Sequence, residues 1–141
     1  MFASIVQNHK RMFDLSVSNI DRSHTPAVKG GWCVGCQGKK KRKTTNFIFF
    51  TDRNGLPLAI FELEAVNHAD LYAIGRSVDG IVMQLEKVGI NCDGLFNYAD
   101  AGFDGMSFRA ALLKHDIIAN VYPNPRNGRT KQNYNILCGA L

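Results

Sequence analysis

Asp21 and Asp100 are the residues on which a chemistry can be argued. Each follows a stretch with β character, the alternating Phe13 to Ile20 before Asp21 and the short buried-type Leu95 to Ala99 before Asp100, so each acid is expected where a strand runs out. If the two strands are neighbours, their carboxylates stand one strand spacing apart, about 5 Å. That separation suits a small hard cation, Mg²⁺ or Mn²⁺, which also supplies the counter-charge two close carboxylates need. A metal pair so held activates a water or a 3′-hydroxyl and stabilises the oxyanion leaving a phosphodiester. The expected role of both aspartates is metal ligation, and the chemistry needs a third carboxylate. A lone Asp at a loop entry merely caps or solvates a strand end. The case therefore depends on the elements that bring the two together.

Residues Met1 to Asp14 show no clear period and no capping signals and read as a frayed helix or the tail of something missing. FDLSVSNID, residues 13–21, alternates with Phe13, Leu15 and Val17 on one side and predicts a strand ending near Asp21. Ser23 to Lys43 is rich in Gly, Lys, Ser and Thr and reads as a long excursion. Thr44 to Thr51, the turn Asp52-Arg53-Asn54-Gly55 and Leu56 to Leu63 form a β-hairpin signal. Asn67 or Asp70 can cap a helix whose apolar stripe is Leu71, Ile74, Val78, Ile81, Val82, Leu85 and Val88, ending at Gly89. After the Asn91 to Gly94 turn comes the strand before Asp100. Asp104 is placed to cap a helix from Gly105 to about His115 with Phe108, Ala111 and Leu112 inward, and Ile117 to Val121 is a last strand.

The predicted fold is α/β: an antiparallel meander followed by parallel strands with crossover helices, one mixed sheet. We expect one domain over residues 1–141, with a core at about 13–122 and a basic, polar tail at 123–141. A composition of 45% hydrophobic and 21% charged residues is that of a globular chain, and no apolar run approaches the length of a membrane span. Without an export signal the four cysteines are expected to stay reduced, and a cytoplasmic location is expected.

The net charge of +5 is unevenly spread. Lys29 to Lys43 holds the basic run Lys39, Lys40, Lys41, Arg42, Lys43 and no acid, and Ala119 to Leu141 holds Arg126, Arg129 and Lys131 and no acid. Eight of the twelve acids fall between Glu62 and Asp104, so basic segments flank an acidic middle. That pattern suits a protein that grips a polyanion while holding cations of its own. Cys33 and Cys36 form a single CxxC; with Cys92 and Cys138 isolated, a zinc-binding module is the weaker reading.

Several ordered segments resemble the DDE-class transposases of bacterial insertion sequences: Asp21-Arg22-Ser23-His24-Thr25-Pro26 through Gly31, Gly38 to Asn46, Asn67-His68-Ala69-Asp70-Leu71, Ala99 to Asp104, and Asn124-Pro125-Arg126. The resemblance covers about Val17 to Gly128. It implies a ribonuclease H-like catalytic core for DNA strand cleavage and transfer, with Asp21 and Asp100 as the first two acids of an Asp-Asp-Glu triad. It further implies Ser23, His24, Asn67 and His68 lining the cleft, Lys39 to Lys43 and Arg126 contacting DNA, insertion-sequence ends as partner, and a bacterial, nucleoid-associated setting. Arg22 and Val66 stand where the family often has Gly. The family's third carboxylate lies on a later helix, and no acid follows Asp116 here. The expectation is a fragment incomplete at its C-terminus and inactive alone, one that self-associates or needs a complementing transposase fragment. A non-catalytic DNA-binding remnant is the alternative.

Overall fold

In a computed structural model, residues 1–26, 34–37, 42–63 and 74–127 are described. Helix α1 (Phe2–Asn8) opens the chain and buries Val6. Among the described residues six strands form one sheet: β1 (Ser18–Pro26), β2 (Val34–Gln37), β3 (Arg42–Thr51), β4 (Pro57–Leu63), β5 (Phe96–Ala99) and β6 (Ile118–Val121). Helices α2 (Ile74–Lys87) and α3 (Met106–Lys114) join β4 to β5 and β5 to β6.

The predicted hairpin is β3–β4, and its turn is organised by Asp52. That carboxylate is fully buried and accepts the backbone N–H groups of Asn54 (2.9 Å), Leu56 (2.8 Å) and Asp14 (3.0 Å), while Gly55 takes φ +82°. Buried polar groups persist when so satisfied. One edge of β3 carries β1 antiparallel along its length; the other is shared, β4 pairing with 46–51 and β2 with 42–45.

Two expectations are corrected here. The first strand does not begin at Phe13 or end at Asp21. It runs from Ser18 to Pro26, because β3 offers a matching backbone partner from Asn19↔Thr51 to Pro26↔Thr44. Consequently the excursion from Ser23 to Lys43 contains the end of β1, all of β2 and the start of β3. Asp104 does not cap α3; Gly105 holds the N-cap position with no side-chain bond, and Asp104 is buried against Arg109.

The stripe predicted for the first long helix is present in α2, where Ile74, Val78, Ile81, Val82 and Leu85 are buried. They pack in one core with Ile20, Phe50, Ala59, Ala99 and Val121, which the register puts on a single face of the sheet. Burying each such side chain contributes about 1.5–3 kcal/mol. Gly89, at φ +74°, lets the chain leave α2. The caps expected at Asn67 or Asp70 lie outside the described residues. Among the described residues no helix is long and apolar enough to cross a membrane.

Helices α2 and α3 are tied by Asp79, which accepts from Lys114 Nζ (3.0 Å) and lies 2.6 Å from His115 Nε2. The His115 hydrogen bond, then that of Lys114, hold the Asp79 carboxyl below its ordinary value. A depressed carboxylate contributes stability that is present above its unfolded-state pKa and lost as pH falls through the folded one. Asp79→Asn should therefore flatten the acid limb of a stability-against-pH curve, measured by urea unfolding, below about pH 4. Packing of α2 can be tested at its glycines. A Cβ at Gly80 would run into the Phe61 ring, whereas at Gly75 it meets nothing within 4 Å. Gly75→Ala should stabilise by about 0.5–1 kcal/mol through helix propensity. Gly80→Ala should destabilise, by about 1 kcal/mol, because overpacking at about 1–3 kcal/mol outweighs that gain. Denaturant melts of both variants decide the point.

Candidate functional site

Parallel pairing of β1 with β5 runs Ser18↔Asn97, Asn19↔Tyr98 and Ile20↔Ala99. One residue further on, Asp21 and Asp100 come side by side. At that step β5 ends while β1 continues along β3, so the sheet forks and a cleft of about 400 Å³ opens. Asn19, Ile20, Asp21, Tyr98, Ala99, Asp100, Ala101 and Tyr122 line it. The cleft sits at the carboxyl end of β5 and midway along β1, where β1 goes on beside β3 and the chain leaves β5 for α3 and β6 on the other side. Open α/β sheets bind ligands at such switch points because strand ends and loops diverge there.

Both carboxylates are exposed, and each is aimed by a backbone donor. Arg22 N–H donates to Asp21 Oδ1 (2.8 Å), and Gly102 N–H to Asp100 Oδ1 (2.9 Å), which makes Asp100 the cap of the 3₁₀ turn Ala101–Phe103. Among the described residues the backbone donors reach Oδ1 of each acid and leave Oδ2 open. A carboxylate pair offers hard oxygen donors of the kind Mg²⁺ and Mn²⁺ take alongside waters and phosphate oxygens. The two acids thus fit such an ion as a partial ligand set. Among the described residues no group of three or more His, Cys, Asp or Glu side chains is placed to hold a metal.

Ser23 lies two residues beyond Asp21 on the same face of β1, half-buried and outside the lining of this cleft. The backbone of His24 continues β1 opposite Asn46, and those of Arg42 and Lys43 open β3 beside β2. Lys39, Lys40, Lys41, Asn67, His68, Cys33 and Val66 lie outside the described residues. Arg22 alternates to the face opposite Asp21, level with Ile48, and does not line the cleft. Its partial burial draws the guanidinium below its ordinary pKa. Arg126 is exposed on the 3₁₀ turn Pro125–Asn127 that follows β6.

Sequence reasoning missed the two tyrosines. Tyr98 stacks edge-on with Phe96 (5.3 Å), and Tyr122 N–H donates to Ala99 O (3.0 Å), extending the β5–β6 ladder to the cleft wall. Alternation in Phe96-Asn97-Tyr98-Ala99 could have put Tyr98 on the open face; Tyr122 depends on the β5–β6 register.

With this geometry the chain superposes on a Mos1 transposase in a paired-end complex with left transposon end, at a TM-score of 0.52 and 10% identity over 84% of this chain and 39% of that one. The fold is ribonuclease H-like. The chain spans about two fifths of that transposase's length. The catalytic domain of Mos1 mariner transposase aligns at TM-score 0.49 and 10% identity, covering 84% of this chain and 55% of that one. A simian T-cell lymphotropic virus intasome in complex with a PP2A regulatory subunit aligns at 0.48 and 9%, covering 81% and 34%. No family model and no curated protein matches the sequence.

Because an Asn carbonyl can accept the Gly102 N–H as Asp100 Oδ1 does, Asp100→Asn should leave the melting temperature within about 2 °C of the parent. Asp100→Ala removes the cap and should cost about 1 kcal/mol. Differential scanning calorimetry of the two separates the turn-forming role of Asp100 from any role its charge has.

Proposed function

We propose that this chain is the catalytic-domain portion of a DDE-type transposase, handling DNA at insertion-sequence ends with Mg²⁺ or Mn²⁺. The observation that carries the reading is the β1–β5 register, which sets Asp21 and Asp100 side by side in one open cleft at the switch point of the sheet. The ribonuclease H-like fold supports it, as do the basic segments on either side of the acidic middle. The transposase with the same fold was captured on a transposon end.

In this reading Asp21 and Asp100 would hold the metal, which would supply Lewis-acid chemistry: acidification of a water or 3′-hydroxyl and positive charge for the leaving oxyanion. The remaining work belongs to the protein. Arg22 and Gly102 N–H groups hold one oxygen of each acid, so the other faces the incoming ligand. Lys39 to Lys43 and Arg126 neutralise phosphates, with Ser23, His24, Asn67 and His68 along the approach to the acids. The third carboxylate of a DDE site is not supplied by residues 117–141, which contain no acid. The setting that fits is a bacterial cytoplasm, on the nucleoid.

Isothermal titration with MnCl₂ tests the reading. Weak binding that Asp21→Ala or Asp100→Ala abolishes is the expected result. Absence of any divalent-ion affinity, or indifference to both substitutions, would refute metal ligation. If salt-sensitive DNA binding persisted without it, the chain would be a non-catalytic DNA-binding remnant.

A further inference from the structure

Asp104 is a charged residue that the proposed chemistry does not use, yet its carboxylate is completely buried. Burying a carboxylate costs several kcal/mol unless its oxygens are fully engaged. Here they are. Oδ1 accepts from Arg109 Nη2 (2.9 Å), and Oδ2 accepts from the backbone N–H of Asn124 (2.9 Å). The Asp104 carbonyl accepts from Asn127 Nδ2 (2.6 Å). Asn124 in turn accepts the Arg126 N–H on its side-chain oxygen (3.0 Å) and the Asn127 N–H on its carbonyl (2.9 Å).

These bonds join two turns that are twenty residues apart in sequence. One begins at Asp100, whose carbonyl accepts the Phe103 N–H (3.1 Å) and whose turn ends at Asp104, with the Asp104 N–H on Ala101 O (3.3 Å). The other carries Arg126 and leaves β6 just after Tyr122, a residue of the cleft wall. β5 and β6 are adjacent and parallel, so both turns emerge at the same end of the strands. A loop this rich in Pro and Asn would otherwise sample many conformations, and an exposed arginine on it would have no defined place.

We infer that Asp104 is a positioning residue: it locks the Arg126 turn to the Asp100 turn, and so fixes the Arg126 cation where it meets a DNA phosphate beside the carboxylate pair. The inference rests on the DNA-handling reading above. Asp104 touches no ligand itself and acts through Asn124 and Asn127. The energetic logic favours a carboxylate over any neutral residue, because only a double acceptor with a full charge satisfies both Arg109 and the Asn124 N–H.

The test is a double-mutant cycle read by fluorescence anisotropy with a labelled DNA duplex over a range of salt. Hydrogen exchange at residues 122–127 is followed in parallel. Arg126→Ala should weaken binding and lower the magnitude of the log K against log salt slope by about 1, the loss of one phosphate contact. Asp104→Asn should produce the same loss, the double variant should lose no more than either single one, and exchange at Asn124 should rise in Asp104→Asn but not in Arg126→Ala. Asn127→Ala, which removes one tie and no buried charge, is the gentler variant should Asp104→Asn fail to fold, and it should reproduce part of the loss. Full affinity in the tied-loop variants, or losses that add to that of Arg126→Ala, would overturn the inference while leaving the DNA reading intact. Wild-type protein without DNA affinity, or Arg126→Ala without effect, would instead overturn the DNA reading at Arg126, and the inference with it.

Discussion

Three parallel residue pairs, Ser18 with Asn97, Asn19 with Tyr98 and Ile20 with Ala99, join the two halves of this sheet. Everything proposed for the site depends on their register. Shifting β5 by one residue would turn Ala99 out of the core and carry Asp100 away from Asp21, since strand side chains alternate with period two. The register is held from within. Asn97 and Ser18 are both fully buried, Asn97 Nδ2 donating to Ser18 Oγ (2.9 Å) and Ser18 Oγ to Phe96 O (3.1 Å). A slipped pairing would strand these polar groups in the core, at a cost of about 1–3 kcal/mol for each one unsatisfied. A two-residue slip would keep the hydrophobic alternation, but this polar pair opposes it.

The same register divides the sheet into two unlike faces. Ile20, Phe50, Ala59, Ala99 and Val121 meet α2 in a single core, whereas Asn19, Asp21, Phe49 and Tyr98 stand on the other face, exposed or half-buried. Charge at Asp21 is tolerable because alternation delivers it to the open face. Arg22, its neighbour, goes to the helix side and is partly desolvated there. The cleft exists because β5 is short and β1 is long: where the shorter strand stops, the longer one loses a partner on that edge and its side chains gain room.

Buried charge recurs in two places, with two results. Asp52 satisfies three backbone N–H groups and closes the β3–β4 hairpin. Asp104 binds Arg109 and the segment after β6, joining elements that no sheet hydrogen bond connects. Both are tolerated for the same reason, the engagement of both carboxylate oxygens. Only the second lies between the carboxylate cleft and the exposed Arg126.

Much was legible from residue order alone. The β3–β4 hairpin, α2 with its stripe, the strand before Asp100, the helix with Phe108, Ala111 and Leu112 inward and the last strand all follow from local periodicity and turn chemistry, which are properties of adjacent residues. The two acids were legible as well, because each follows a β-type stretch. What the sequence could not state was which backbone each strand would meet. The true start and end of β1, the strand β2 inside an apparent loop, the cleft-wall tyrosines and the role of Asp104 were decided by partners 5 to 79 residues away, through hydrogen bonds that carry no local compositional signal. Residue type determined that Asp21 and Asp100 could bind a hard cation. Their meeting in one cleft was decided by the tertiary structure, because only the parallel pairing of β1 with β5 brings distant chain segments to one strand spacing.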